Sequence, residues 1–330
     1  MERPRRRRTP RFPPPPPTPD PAALTRAALE IARRHGFTAA GVVAAGPART
    51  WDRYRTWLDE GRHGEMEWLE RDAESRRDPE GILPYCRSIL AVAREVPPGP
   101  SGNVARYARG EDYHRVVRSA LHAVAADLGP LAPPGSHFRA CVDTAPLLER
   151  ELAAASGLGF VGKSGMLIVP GVGSHVVLGE LLTDAELDPT PPRPGSVTSP
   201  DRCGSCTACV DACPTGAFVG PARIDARRCV SYLTIEKRSD LAAEEASALG
   251  GRLFGCDVCQ DVCPFNALDA VSSARPAGPA SIDPASVVSL TLEQFDERFG
   301  RSAIWRATRD GLARNARAAL ERAAAAGAPT

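Results

Sequence analysis

Lysine is nearly absent from this chain: it occurs only at positions 163 and 237, whereas arginine is abundant. The overall charge is also small, since 41 Lys and Arg residues face 40 Asp and Glu residues, for a formal net charge of +1. No strong overall field therefore draws the protein to nucleic acid, and any such binding requires a local patch. No apolar run is long enough to span a membrane, and none resembles a cleavable targeting segment, so we expect no membrane association.

Cysteine is concentrated in one stretch of the chain. Eight of the ten cysteines lie between positions 203 and 263, in two runs and one solitary residue. The first run is Cys203, Cys206, Cys209 and Cys213; the second is Cys256, Cys259 and Cys263; Cys229 stands between them. The first run, followed by Pro214, has the C-x2-C-x2-C-x3-C-P spacing of bacterial ferredoxins. Eight thiolates are enough to hold two 4Fe–4S clusters.

The spacing also predicts how the thiolates divide. In two-cluster ferredoxins the fourth cysteine of each run ligates the other cluster. We therefore assign Cys203, Cys206, Cys209 and Cys263 to a first cysteine set, and Cys213, Cys229, Cys256 and Cys259 to a second cysteine set. Zinc leaves the third close cysteine unexplained, and disulfides between such close cysteines have unacceptable geometry. Metal ligation by reduced thiols predicts a cytoplasmic protein.

The rest of the chain suggests an α+β protein with three ordered parts. Residues 1–20 are basic and proline-rich and are predicted to be disordered. An α/β domain over 21–198 opens with a helix that Asp20 caps. A ferredoxin-like module at 199–268 follows a Pro/Ser/Thr-rich linker at 189–200. A short helical segment over 269–330 follows, with these side chains predicted to point inward: Phe295, Phe299, Ile304, Trp305, Leu312 and Leu320. Its arginines at 306, 309, 314 and 317 are predicted to form a solvated helical face, with a surface for RNA phosphates as the alternative.

A glycine-rich loop at 157–164 matches G-x-x-x-x-G-K-S, the phosphate-binding P-loop. That motif requires a strand before the glycines and a helix after them, so that helix N-terminal amides point at phosphate. Here the predicted order is reversed, with a helix at 146–156 before the loop and strands at 166–169 and 176–182 after it. We therefore reject nucleotide binding and predict a loop close to a flat ligand, with Lys163 in contact with that ligand or a phosphate.

Two polar residues have competing interpretations. Asp143 lies before the helix predicted at 146–156, where an aspartate is ordinarily an N-cap. Asp112-x-His114 matches the start of D-x-H-x-x-G, a motif that supplies a histidine ligand to cobalamin in some enzymes. Position 117 is valine where the motif needs glycine. We therefore reject histidine ligation and predict that His114 caps a helix or packs.

Taken together, the motifs resemble those of the epoxyqueuosine reductases over about residues 23 to 320. The resemblance rests on both cysteine runs, on solitary Cys229, and on the following blocks: Arg106-Tyr107, Asp112-Tyr113-His114, Val142-Asp143-Thr144-x-Pro146-Leu-Leu-Glu149, Gly159-Phe-Val-Gly162-Lys163, Leu178-Gly179-Glu180 and Arg227-x-Cys229-x-Ser231-Tyr232. It implies reduction of epoxyqueuosine to queuosine at the wobble position of tRNA, the last step of queuosine biosynthesis. Compared with the longer members, we expect this chain to lack a full C-terminal helical-repeat extension.

The resemblance further implies two 4Fe–4S clusters and cobalamin held without a protein histidine below the cobalt. It makes Asp143 the proton donor, with a pKa raised by burial against the corrin face. Residues implied to lie around the corrinoid are Arg76, Arg106, Asp143, Lys163, Asp257, Val258 and Gln260. The implied partners are a tRNA anticodon stem-loop and an electron donor of ferredoxin or flavodoxin type, acting on a monomer. A reductive-dehalogenase-like reductase of a small molecule and a simple electron carrier remain alternatives.

Overall fold

The computed structural model describes residues 19–192, 200–266 and 278–327. Nearly all of the predicted disordered tail, and most of the predicted linker, lie outside these ranges. Among the described residues the strands are β1 (Ala39–Ala44), β2 (Ser88–Glu95), β3 (Phe138–Cys141), β4 (Phe160–Val161), β5 (Leu167–Ile168), β6 (Val176–Thr183), β7 (Phe218–Gly220) and β8 (Arg223–Ile224).

The main sheet has four strands in the order β1-β2-β6-β3, and every neighbouring pair is antiparallel. Ala91 in β2 pairs with Gly41 on one side and with Glu180 on the other. The mixture of helices and sheet confirms the predicted α+β class. The α/β domain predicted over 21–198 therefore has an antiparallel sheet. The sequence did not indicate this, because hydrophobic patterns locate strands without giving their direction.

The described helices alternate with these strands and then dominate the C-terminal half. They are α1 (Pro21–Arg34), α2 (Trp51–Asp59), α3 (Glu67–Arg71), α4 (Tyr113–Leu128), α5 (Glu149–Ala155), α6 (Ala208–Asp211), α7 (Val230–Ile235), α8 (Ala243–Ala248), α9 (Val258–Asp261), α10 (Ala285–Val288), α11 (Leu292–Phe299) and α12 (Thr308–Ala325). Helix α1 begins as predicted, with the Asp20 carboxylate accepting from the amides of Ala22 and Ala23. No helix in the described ranges is long and apolar enough to cross a membrane.

Helices cover both faces of the main sheet. Leu24 of α1 and Leu121 of α4 pack on one face against Leu181 of β6. Each is at most 3% exposed, and burying one such side chain contributes about 1.5–3 kcal/mol. Ala153 of α5 packs with Ala91 on the opposite face. The sheet thus holds α4 and α5 in fixed positions, and both helices carry polar residues at their first turns.

A second core joins parts of the chain that are far apart in sequence. It contains side chains from 104–108, 235–254 and 282–319. The Asn315 side chain lies inside it and donates to the carbonyls of Thr234 and Leu253, at 2.9 Å each. The C-terminal helices and the cysteine-bearing segment therefore pack as one body with a loop of the N-terminal part.

Trp305 is the exception among the residues predicted to point inward. Its side chain is 56% exposed, and its indole Nε1 donates to Asp296 Oδ1 at 2.8 Å. The segment around it is a 3-10 helix rather than an α-helix. A 3-10 helix has three residues per turn, so its side chains do not follow the spacing of an α-helix, and Trp305 points outward while Ile304 is buried.

Candidate active site and iron–sulfur sites

The four cysteines of the first cysteine set surround one cavity of about 40 Å³, although Cys263 belongs to the other run. The remaining lining residues are Lys163, Ser164, Ile168, Pro264 and Phe265. Within the described ranges, no three His, Cys, Asp or Glu side chains lie close enough to share a single metal ion. The thiols thus enclose a space instead of converging on a point, which suits a cluster better than a zinc ion.

The second cysteine set is also brought together. Cys259 lies within electrostatic range of Cys256, Cys229 and Cys213. Cys229 immediately precedes α7, and Cys256 comes two residues before α9. Cys209 of the first set is a further neighbour of Cys259, so the two sets adjoin.

Lys163, between β4 and β5, contacts the loop that carries Cys203 and Cys206. Its ammonium Nζ donates to the carbonyls of Gly204 at 2.6 Å and Cys206 at 2.9 Å, and its amide lies 3.5 Å from Cys203 Sγ. A Cβ at the preceding Gly162 would be 2.6 Å from Ile168 Cδ1, so a larger residue there would require the Ile168 side chain to move. Lys163 was predicted to contact the corrinoid; its described contacts are with the cysteine loop.

The surrounding backbone agrees with the rejection of a P-loop. Gly157 and Gly159 precede β4, and Gly162 lies in the turn between β4 and β5, which pair in antiparallel fashion. The next element after Lys163 and Ser164 is strand β5 and not a helix. The loop therefore has no helix N-terminus with which to hold nucleotide phosphates.

Asp143 stands just after β3 with a left-handed backbone, at a φ of +50°. Such a conformation costs a non-glycine residue about 1–3 kcal/mol and requires outside support. Its amide donates to Glu149 Oε1 at 2.5 Å, and its Oδ2 accepts from His114 Nε2 at 3.0 Å. The N-cap interpretation is wrong, because α5 begins only at Glu149 and Leu148 occupies the cap position.

His114 joins two carboxylates that are distant in sequence. Its Nδ1 lies 2.6 Å from Asp112 Oδ1, while its Nε2 contacts Asp143. Asp112 is also the N-cap of α4 and accepts from the His114 amide at 3.0 Å. The prediction that His114 merely caps or packs missed this contact with Asp143. The signal in the sequence was Asp112-x-His114 itself, which places an acceptor beside the ring.

The charges of this pair favour a proton on the imidazole. Burial acts to raise the pKa of Asp143, but hydrogen bonding and the charge of His114 outweigh it, and the pKa lies below its usual value. Burial likewise opposes protonation of His114, yet Asp143 and Asp112 raise its pKa above the usual value. The direction for Asp143 is opposite to the raised pKa expected of an isolated donor. The pair therefore holds its proton mainly on His114.

We use the name Asp143 recess for Asp143 and the side chains close to it, His114, Tyr113 and Tyr107. The Asp143 side chain is 57% exposed, so its carboxylate is open to a bound molecule. Tyr107 and Tyr113 meet edge to face at 5.7 Å. Burial raises the pKa of both hydroxyls, with a further contribution from the charge of Asp143, so both remain protonated.

Arg76 provides a buried cation beside the recess. It is 6% exposed, its Nη1 donates to the Ala145 carbonyl at 3.3 Å, and its guanidinium lies 5.5 Å from the centre of the Trp68 ring. Its Nε is buried and has no hydrogen-bond partner among the described residues. An orphaned donor of this kind indicates a place for an acceptor on a bound group.

The other residues implied to contact the corrinoid, apart from Lys163, lie in and around α9 and the segment before α4. The Arg106 amide donates to Asp257 Oδ2 at 2.8 Å, and its guanidinium contacts Asp261. Gln260 Oε1 accepts from Ser174 Oγ at 3.1 Å. Val258 is the first residue of α9, and Tyr107 lies within electrostatic range of Asp257 as well as Asp143. These residues are close to the recess but are engaged in internal hydrogen bonds.

Two adjoining four-cysteine sets, one of them bordering an accessible acid–imidazole recess, define an iron–sulfur oxidoreductase. Residues 202–266 match the family model of a 4Fe-4S double cluster binding domain, and residues 76–144 match the model described as epoxyqueuosine reductase QueG, DUF1730. The chain belongs to the epoxyqueuosine reductase family.

Several relatives support this membership. The chain is 37% identical to the epoxyqueuosine reductase of Pseudomonas aeruginosa over 86% of this chain and 80% of that protein. It is 39% identical to the one from Gloeobacter violaceus, over 88% and 93%. A crystal structure of epoxyqueuosine reductase with a tRNA-Tyr epoxyqueuosine-modified stem loop superposes with a TM-score of 0.80, at 31% identity, over 90% of this chain and 81% of that one.

Proposed function

We propose that this chain is an oxidoreductase that reduces epoxyqueuosine to queuosine in tRNA, completing queuosine biosynthesis. The observation that carries the proposal is the accessible Asp143–His114 pair. Tyr107 lies within electrostatic range of both Asp143 and Asp257, and Asp257 directly follows Cys256 of the second cysteine set. The relative solved with an epoxyqueuosine-modified stem loop supports the same substrate. Removing the epoxide oxygen to leave an alkene consumes two electrons and two protons and releases water, so the site needs both an electron supply and a proton supply.

The two cysteine sets would hold the 4Fe–4S clusters that provide the electron supply. Residues that follow cysteines of the second set lie near the recess. Asp257 is within electrostatic range of Tyr107, and Glu236, just after α7, pairs with Arg306, which is within electrostatic range of Asp143. We therefore place the second cluster next to the recess and the first one farther along the electron path. An external donor of ferredoxin or flavodoxin type would load the clusters.

The recess fits a bound cobalamin in two respects. Arg76 offers its unpaired Nε to an acceptor on the rim of the cofactor, and the edge-to-face Tyr107 and Tyr113 provide a largely apolar floor. Both nitrogens of His114 are occupied by carboxylates, so this histidine is not available as a ligand below the cobalt. Cobalamin would supply a strongly reducing cobalt centre for opening the strained ring.

The chain's own residues supply and hold the proton. His114 carries it at Nε2 and shares it with Asp143 Oδ2 across 3.0 Å. Asp143 is the exposed member of the pair and so faces the epoxide oxygen, to which it delivers the proton as the C–O bond breaks. Tyr113 also faces the Asp143 carboxylate. Exclusion of water by bound substrate would raise the pKa of Asp143 and favour this transfer.

Replacing His114 by Gln should lower stability mainly under acidic conditions. A pKa raised in the folded state gives stability that is fully present below the unfolded value of 6.5 and is lost as pH rises through the folded value. We expect the melting temperature to fall by roughly 2–4 °C at about pH 5.5 and to change little at about pH 9. Thermal denaturation at both values checks this, with His122→Gln on the exposed side of α4 as the control. An equal fall at both pH values would contradict the ion pair.

Replacing Lys163 by Gln should alter the reduction potential of one cluster only. The ammonium donates to two carbonyls of the loop that carries Cys203 and Cys206. A nearby positive charge stabilises the more negative, reduced cluster, so its removal should lower that potential. An EPR-monitored redox titration of the holoenzyme measures this. Lys237→Gln is the matched control, because Lys237 pairs with Glu245 at 3.3 Å. Unchanged reduction potentials in Lys163→Gln would show that the lysine does not tune either cluster.

The partners follow from the same proposal. The C-terminal arginines were candidates for tRNA contact, but Arg306 pairs with Glu236, and Arg314 donates to the carbonyls of Lys237, Ser239 and Leu233. Much of that charge therefore stabilises the fold, and we place the tRNA anticodon stem-loop over the Asp143 recess. We also propose a monomer that works in the cytoplasm.

Nucleoside analysis of tRNA from cells that lack this protein tests the proposed function. Epoxyqueuosine should accumulate and queuosine should disappear, and expression of the parent chain should reverse both changes. Normal queuosine in the deletion strain, combined with reduction of a halogenated small molecule by the purified protein, would favour the dehalogenase-like alternative. Cobalamin in the purified protein would exclude a simple electron carrier.

A further inference from the structure

Beneath the Asp143 loop lies a pair of carboxyl groups that the proposed mechanism does not use. Glu180, in the middle of β6, is 0% exposed. Glu149, at the first position of α5, lies within hydrogen-bonding range of it. Glu149 Oε1 in turn accepts from the Asp143 amide at 2.5 Å. The three acidic residues thus form a chain that runs from the sheet to the recess.

Glu180 is a buried carboxyl group without a hydrogen-bond donor among the described residues. Neither of its carboxyl oxygens receives a donor from the described residues, and its strand neighbours Ala91 and Cys141 bring no charge. An ionised carboxylate in that position would be a buried charge without compensation, which proteins avoid by protonation. Glu180 therefore carries its own proton, and the acceptor within reach is Glu149.

We propose that Glu149 and Glu180 act as an acid–carboxylate pair that positions Asp143 for proton delivery. Glu180 donates to Glu149, and this bond fixes the Glu149 carboxylate under the Asp143 amide. The amide bond then holds Asp143 in its left-handed conformation at a φ of +50°, with its carboxylate turned toward His114. Both glutamates are positioning residues, and their role rests on the proposed function.

The Glu149–Glu180 pair should make the loop that carries Asp143 sensitive to alkaline pH. Burial raises the pKa of Glu149 to about 7, and burial raises the pKa of Glu180 well above its usual value. One shared proton keeps the pair bonded, whereas loss of that proton leaves two adjacent buried charges that repel. The titratable groups that face the pair are Asp143, Arg150, Cys141 and Tyr113. Since raised carboxyl pKa values give stability that is lost as pH rises through them, the loop should be released on the alkaline side.

The test compares the parent holoenzyme with Glu180→Met, which has no donor, and Glu180→Gln, whose amide can replace the acid proton. Hydrogen exchange of the peptide over 142–147 should be faster by about tenfold in Glu180→Met, because the Asp143 amide loses its fixed acceptor. Single-turnover conversion should fall by roughly 10–10²-fold, as expected for a misplaced reacting group. Glu180→Gln should keep slow exchange and should lose the alkaline decline in turnover.

Glu186→Gln is the control, since Glu186 is an exposed residue paired with Arg87 at 2.7 Å. If Glu180→Met does not fold, Glu149→Ala removes the acceptor directly and should give the same fast exchange. Exchange and turnover within about twofold of the parent in Glu180→Met, or in Glu149→Ala where that variant is used, would overturn the proposal. An unchanged alkaline decline of turnover in Glu180→Gln would also overturn it. The exchange measurement needs no substrate, so it decides on the pair even if the parent fails to reduce epoxyqueuosine.

Discussion

Asp143→Asn should retain the fold, both clusters and bound corrinoid, and should lose turnover by ~10²–10⁴-fold, the usual value of a general acid. Asparagine tolerates the left-handed backbone well, and its side-chain oxygen can still accept from His114. The substitution therefore removes the ability to hold and release a proton while leaving the local geometry. Single-turnover conversion of an epoxyqueuosine-containing anticodon stem-loop measures the effect.

The matched control for this variant is Asp184→Asn. Asp184 also bonds a histidine, with its Oδ2 2.7 Å from His137 Nδ1, but this pair lies on the surface. The control should convert substrate like the parent. Because α5 begins at Glu149, Asp143 has no capping role by which to explain a loss. Turnover of Asp143→Asn within a factor of about three of the parent would remove Asp143 from the chemistry.

Cys229→Ala should eliminate one cluster and with it the flow of electrons. Cys229 belongs to the second cysteine set alone, near Cys256 and Cys213. Its loss leaves three ligands there and four in the first set. Anaerobically purified protein should drop from about eight irons to about four, with one reduced-cluster EPR signal remaining. Turnover should be lost because the second cluster lies next to the recess in the proposed path.

Cys86→Ala provides the control for iron content. Cys86 is a buried cysteine outside both sets, and burial raises the pKa of its thiol to about 11. The control should keep the iron content of the parent. Full iron and an unchanged pair of EPR signals in Cys229→Ala would show that the second set is wrongly assigned, and Cys213→Ala would then serve to locate the missing ligand.

Local spacing was enough to predict much of the iron–sulfur part. The distance between successive cysteines limits which thiols can meet, and the crossed ferredoxin pattern placed Cys263 with the first run, where the structure also has it. The start of α1 followed from Asp20 and Pro21 for the same reason, because capping is a short-range interaction. Pro146 was misleading: it suggested a helix start, but the chain turns there and α5 begins at Glu149.

The proton site depends on long-range packing and could not be predicted in detail. His114 meets Asp143 only because α4 packs on β3 and β6 at one particular position along these strands. Glu180 meets Glu149 because the register of β6 turns that side chain to the face that α5 covers. A one-residue slip would send Glu180 to the other face. No pattern in one sequence gives this register, so the partners of these carboxyl groups became visible only in the folded chain.

The core that joins 104–108, 235–254 and 282–319 also bears on how such an enzyme evolves and can be re-engineered. The cysteine-bearing segment resembles a ferredoxin that could be exchanged as a cassette, yet its inner wall is built by residues from both flanks of the chain. A graft that ends near the cysteines would expose Leu253 and Phe254. It would also leave the Asn315 amide without its acceptor, the Leu253 carbonyl. Recombination within the family is therefore expected to keep these three segments from one parent, and chimaeras should be cut elsewhere.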